Sequence, residues 1–178
     1  MRLTNNVFLT LAFLLICCLP SCIKEQTEDD DEVINHVQVG SSIPSFTVTD
    51  DKENTFHAAD FKGKRSLLIL FNTSCPDCKK ALPVVELVWN ELKDNADYQI
   101  IGIGRQVGMK AINDYWAENE LTIPAYPDPD RKVFDLFANS YIPRIYLIDT
   151  NGIVQWMAIE SLGSTTANDL INKLKELP

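Results

Sequence analysis

Residues 67–71 (Leu-Leu-Ile-Leu-Phe) form an uninterrupted apolar run that ends just before Cys75-Pro76-Asp77-Cys78. A run without polar alternation is the signature of a strand covered on both faces. Past the cysteines, Leu82, Val85, Leu87, Val88, Trp89 and Leu92 recur near helical spacing, which predicts a helix over residues 76–93 with these side chains inward. Residues 98–104 repeat the buried-strand pattern, and residues 110–120 predict a second helix with Ala111, Ile112, Tyr115 and Trp116 in its apolar positions. Strands alternating with helices imply parallel pairing.

The flanking segments add antiparallel pieces. Residues 45–49 alternate polar and apolar, a polar turn follows at residues 50–54, and residues 55–57 complete an N-terminal hairpin. A short helix over residues 133–138 leads to Pro143; residues 145–148 and 153–158 then flank Asn151-Gly152, a strong hairpin signal. A last helix over residues 165–177 has Ser164 or Thr165 as its cap and Leu170, Ile171 and Leu174 on its buried side. The expected fold class is α/β, a central mixed sheet with helices on both faces. The chain has 178 residues, 46% of them hydrophobic, enough for one ordinary domain with a core.

The N-terminus reads differently. Met1-Arg2 precedes an uncharged apolar stretch at residues 7–19 and then Pro20-Ser21-Cys22, the layout of a signal peptide over residues 1–21. A bilayer span needs about 20 apolar residues, so a permanent span is the weaker reading. Leu19-Pro20-Ser21-Cys22 resembles a bacterial lipobox, which implies lipidation of Cys22; an ordinary secretory signal is the alternative. Residues 24–32 hold six acidic residues and no hydrophobic one, which predicts a solvated tether over residues 22–36 and a domain over residues 37–178. The expected location is a bacterial membrane, with the domain facing the periplasm or the cell surface. A net charge of -9, from 16 Lys and Arg against 25 Asp and Glu, disfavours nucleic acid as a partner.

Of the five cysteines, Cys17 and Cys18 leave with the signal peptide, so Cys75 and Cys78 carry the chemistry. A thiol at a helix N-terminus faces unpaired N–H groups and the positive end of the helix dipole, both of which favour thiolate. Pro76 suits the first helical turn because its missing N–H needs no partner. Cys75, at the strand end, is the expected attacking thiol, and Cys78, one turn into the helix, the resolving one. Asp77 works against the thiolate, whereas Lys79 and Lys80 work for it. Half a zinc site and an inert disulfide remain as alternatives, although zinc needs about four ligands and only His36 and His57 are left to supply them. No cofactor is expected.

These residues resemble the extracytoplasmic thioredoxin-fold redoxins of the TlpA/ResA type over residues 37–178. The resemblance rests on Cys75-Pro76-Asp77-Cys78, on Pro83 at the family's helix kink, and on Tyr141-Ile142-Pro143 ahead of a strand pair. It implies a thiol-disulfide oxidoreductase with a Cys75–Cys78 redox disulfide. It also implies a cis peptide bond at Pro143 that presents Ile142 backbone groups to an extended substrate. Residues 123–128 resemble the extra strand and turn inserted by this branch. The implied partners are thiol- or disulfide-containing extracytoplasmic proteins and a membrane thiol-disulfide electron donor.

Departures from the family are specific. Its frequent Trp before the first cysteine is Ser74 here. The ResA-type glutamate that assists proton transfer to the buried thiol is replaced by Ala81, and thioredoxin's buried aspartate by Ile69. The usual Thr after the cis-proline is Arg144, a cation expected either beside the thiols, where with Lys79 it favours thiolate, or in a surface salt bridge. A thiol peroxidase on this fold needs Pro and Thr where the chain has Leu68 and Asn72, and a lipid-anchored binding module without redox activity is the non-enzymatic alternative.

Overall fold

The computed structural model describes residues 32–178. The expected signal peptide, Cys22 and most of the acidic tether lie outside the described residues; the last residues of the expected tether, 33–36, are not solvated linker but join the domain, with Asn35 bridged to Ala138. In chain order the elements begin with a hairpin of β1 (Thr47–Thr49) and β2 (Thr55–His57), then a 3-10 turn at Ala58–Phe61. Next come β3 (Arg65–Phe71), α1 (Pro76–Leu92), β4 (Tyr98–Arg105), α2 (Met109–Glu118) and β5 (Ala125–Asp128). The chain ends with α3 (Phe134–Phe137), β6 (Arg144–Ile148), β7 (Val154–Ile159) and α4 (Ala167–Glu176). The main sheet has five strands in the order β5-β4-β3-β6-β7. β4 pairs in parallel with β3 and β5, while β6 runs antiparallel to β3 and β7.

The apolar run thus becomes the middle strand, and its alternate side chains feed two cores because successive residues of a strand point to opposite faces. Leu67, Ile69 and Phe71 meet Cys78, Leu82 and Val85 of α1, Ile112 of α2 and Leu170 of α4. Leu68 and Leu70 meet Phe46, Phe56, Phe61, Phe134, Phe137 and Tyr146. The three longer helices therefore cover one face; the hairpin, the 3-10 turn and α3 cover the other.

Two glycines of β4 make room for this packing. A Cβ on Gly102 would stand 2.9 Å from Phe71 Cε1, and one on Gly104 would stand 2.9 Å from Ile112 Cδ1.

Several expected burial positions differ. On α1 the inward stripe is Cys78, Ala81, Leu82, Val85, Val88 and Leu92, which leaves Leu87 off the stripe and 60% exposed. Glu86 is buried instead. Its carboxylate accepts the N–H of Thr122 (2.9 Å) and of Ile123 (3.1 Å), the Thr122 hydroxyl (2.6 Å) and the Asn90 amide (3.0 Å), which fastens α1 to the segment entering β5. On α2 Ile112 is buried, Tyr115 and Trp116 are half-buried, and Ala111 is exposed. The cap of α4 is Thr166 rather than Ser164 or Thr165: its hydroxyl accepts the Asp169 N–H at 3.2 Å, and Asp169 accepts the Thr166 N–H at 2.8 Å.

Candidate active site

The end of β3 is shaped by Asn72. Its side-chain oxygen Oδ1 accepts the N–H of Ser74 at 2.8 Å and the Ser74 hydroxyl at 2.6 Å, while its side-chain amide donates to the Arg105 carbonyl at 2.9 Å. The Cys75 N–H closes the turn on the Asn72 carbonyl at 3.1 Å. This turn delivers Cys75 to the N-cap of α1, with Pro76 following.

The Cys75 sulfur accepts the Cys78 N–H at 3.4 Å, in the position of a capping side chain. The same sulfur lies 3.7 Å from the Ile142 carbonyl, to which its thiol donates. The Ile142–Pro143 peptide is cis. Residues separated by 67 positions are thereby brought together, the arrangement that the family resemblance implies for Cys75, Ile142 and Pro143. Both cysteines are free thiols; Cys75 is half-buried and Cys78 fully enclosed. Burial pushes the Cys78 thiol well above its ordinary range, reinforced by the hydrogen bond with Cys75 and by the charges of Cys75 and Asp77, while the Asn72 N–H at 3.5 Å works against this.

The cations expected to tune the site make specific contacts of their own. Lys79 holds its ammonium 5.8 Å over the Tyr115 ring. Lys80 pairs with Asp77 at 2.8 Å on the surface, and that pairing raises the Lys80 pKa. Arg144 is not in a surface salt bridge. It is fully buried, and its guanidinium donates to the carbonyls of Ser140 (2.6 and 3.0 Å) and Tyr141 (3.0 Å) and to the Asn35 side chain (2.7 Å).

Arg105, which the sequence reading missed, lies with its guanidinium carbon 4.5 Å over the Phe134 ring. Burial and the neighbouring charges of Arg131 and Arg144 lower its pKa, and Asp135 and Cys75 oppose that shift. The charge of Cys75 thus acts on Arg105 at the end of β4 and also on Lys80 of α1.

Ala81 opens onto a cavity of about 140 Å³ lined also by Asp77, Lys80, Val84, Glu160 and Leu162. Among the described residues no group of three or more His, Cys, Asp or Glu is arranged to hold a metal.

The AhpC/TSA family matches residues 39–157. The thiol-disulfide oxidoreductase ResA of Bacillus subtilis (strain 168) is 25% identical over 177 residues, covering 98% of this chain and 97% of that protein. A solved candidate protein disulfide isomerase from Bacteroides thetaiotaomicron superposes with a TM-score of 0.73 at 26% identity, over 82% of this chain and 91% of its own. The thioredoxin domain of a thiol-disulfide oxidoreductase from Bacteroides vulgatus gives a TM-score of 0.65 at 23% identity, over 79% and 97%, a likeness of fold. By fold, paired cysteines and family match, the chain belongs to the AhpC/TSA family and sits among its thiol-disulfide oxidoreductases.

Proposed function

We propose that this chain is a membrane-tethered, extracytoplasmic thiol-disulfide oxidoreductase that works on protein disulfides through Cys75 and Cys78. The observation that carries the reading is the placement of the half-buried Cys75 sulfur between the N-terminus of α1 and the Ile142 carbonyl ahead of the cis peptide. Backbone N–H groups at a helix start stabilise negative charge on sulfur, and the thiolate is the nucleophile in exchange.

The cycle follows from the difference between the two sulfurs. Cys75 attacks one sulfur of a substrate disulfide, the other substrate sulfur leaves and takes up a proton, and a mixed disulfide forms. Cys78 then gives up its proton and attacks the Cys75 sulfur; the remaining substrate sulfur leaves as a thiol, two electrons having passed to the substrate. A membrane thiol-disulfide donor returns the Cys75–Cys78 disulfide to two thiols. The backbone of Ile142 pairs with the substrate segment on either side of its cysteine.

The anchoring part of the proposal rests on the sequence around Leu19-Pro20-Ser21-Cys22 and on the acidic tether after it. The tether is assigned to lipid on Cys22 because the apolar run at residues 7–19 is shorter than the about 20 residues a span needs. The peroxidase reading meets Leu68 in the core and Asn72 holding the Ser74 turn, in place of its Pro and Thr. An inert binding module has no use for a half-exposed Cys75 at a helix cap.

Insulin reduction by the purified protein, with Cys75→Ser beside it, tests the reading. Activity in the wild type and none in the variant supports it. An inactive wild type, or equal activity in both, contradicts it.

A further inference from the structure

Arg144 is a buried guanidinium that forms no ion pair among the described residues. A charge taken out of water is tolerated only when its hydrogen bonds are replaced. Here the replacements are three neutral acceptors: the Ser140 carbonyl, reached by Nη2 at 2.6 Å and Nε at 3.0 Å, the Tyr141 carbonyl at 3.0 Å, and Asn35 Oδ1, reached by Nη1 at 2.7 Å. Two of these acceptors belong to the residues immediately before Ile142-Pro143. The third lies 109 positions away in sequence.

The backbone held by Arg144 needs holding. Tyr141 has φ of 60°, a left-handed conformation that side-chain-bearing residues adopt only when their surroundings impose it, and its side chain is 46% exposed, so its own packing does little of the imposing. Next in the chain, the Ile142 carbonyl receives the Cys75 thiol at 3.7 Å. Displacing the carbonyls of Ser140 and Tyr141 displaces the backbone that faces the nucleophile.

Asn35 is itself fixed on the other side. It forms an antiparallel bridge with Ala138; the Asn139 N–H donates to the Ile34 carbonyl at 3.2 Å, and the Val37 N–H to the Phe137 carbonyl at 3.1 Å. The N-terminal segment thus lies as a strap along residues 137–139, and its one side chain aimed at the guanidinium completes the latch. Arg suits the task because its planar fork donates in two directions at once, to the loop and to the strap; a Lys ammonium on a flexible stem does not.

We propose that Arg144 and Asn35 are positioning residues for substrate recognition: together they hold the Ser140–Tyr141 backbone so that Ile142 is presented to a protein substrate beside Cys75. The inference rests on the oxidoreductase reading above and makes the start of the domain part of its recognition machinery. Neither residue touches the reacting sulfurs. Their loss therefore weakens the capture of an extended polypeptide and leaves the reactivity of the Cys75 thiol alone.

The test compares Asn35→Ala, Asn35→Asp and Arg144→Lys in the full chain, reading KM and kcat for insulin together with the rate of Cys75 alkylation by iodoacetamide across pH. Asn35→Ala is expected to raise KM about tenfold, the loss of one hydrogen bond to a charged group, with the alkylation profile unmoved. Asn35→Asp, which keeps an acceptor for Nη1, is expected to stay near wild type, and Arg144→Lys to raise KM at least as far as Asn35→Ala. An unchanged KM in Asn35→Ala overturns the proposal. So does a shifted alkylation profile, which would make the pair a modulator of the thiol, or an equal defect in Asn35→Asp. Wild-type protein without insulin activity would instead refute the oxidoreductase reading itself.

Discussion

The sulfur of Cys75 accepts the backbone N–H of Cys78 at 3.4 Å, so one cysteine of the pair caps the helix that buries the other. The pair is chemically unequal for that reason: Cys75 borders solvent, while Cys78 is enclosed and its thiol is held in the protonated form.

This inequality predicts the labelling pattern of the reduced protein. Iodoacetamide at neutral pH adds one group, at Cys75, and a second at Cys78 only after unfolding. With substrate, Cys78→Ser is expected to accumulate the Cys75 mixed disulfide, seen as an added mass in the intact protein, whereas Cys75→Ser forms none. Adduct formation at Cys78 in the native protein would contradict the assignment of roles.

The raised Cys78 pKa also makes stability depend on pH. The neutral thiol is the form the fold favours, so its contribution is present in full below the unfolded thiol's pKa of about 8.5. It is lost as pH rises, because the unfolded chain then releases a proton that the folded chain retains. Urea unfolding of the reduced protein is expected to show stability falling between about pH 8.5 and 10 with a slope approaching 1.4 kcal/mol per pH unit. In Cys78→Ala that slope should largely vanish. A wild-type curve as flat as that of the variant would show that Cys78 is not desolvated.

Glu86 offers a test of the scaffold around the site. Truncation to Ala leaves the N–H groups of Thr122 and Ile123 without their acceptor, which should cost about 3 kcal/mol. For a domain of this size that corresponds to a fall in Tm of roughly 6–12 °C. Because Glu86 contacts neither cysteine, insulin turnover per folded molecule is expected to stay within about twofold of wild type.

Gly102 tests the packing behind β3. A Cβ there would stand 2.9 Å from Phe71 Cε1, and Phe71 is itself packed against the Trp116 ring with centroids 5.0 Å apart and planes tilted by 35°, so the ring has little freedom to retreat. Gly102→Ala is expected to destabilise by about 1–3 kcal/mol in urea titration. A neutral outcome would mean that Phe71 relocates easily.

How far the sequence reaches is visible in particular residues. The apolar run of residues 67–71, the cap at Cys75 and the turn at Asn151-Gly152 are local patterns, and each folds as its periodicity or turn chemistry predicts. The approach of Cys75 to Ile142 was legible only through the family resemblance, since nothing local links positions so far apart. Glu86 and Arg105 were misplaced or missed for one physical reason: their partners are Thr122 and Phe134, and contacts between side chains and distant partners leave no periodic trace; Arg144 turns back onto the carbonyls of Ser140 and Tyr141 and reaches Asn35, an arrangement with no periodic trace either. Leu87 erred in the opposite direction, an apolar residue at the edge of a helical stripe that the fold leaves outside. Asn72 could have been found, because Asn at a strand end with Ser two residues on is a recognisable Asx turn.

The reduction potential of the Cys75–Cys78 pair, measured by equilibration with glutathione or a dithiol buffer, tests the central claim most directly. A redox couple that exchanges with protein disulfides is expected to fall between about -270 and -120 mV, its position in that span giving the direction of electron flow. A value below about -300 mV would mark a structural disulfide and contradict the account.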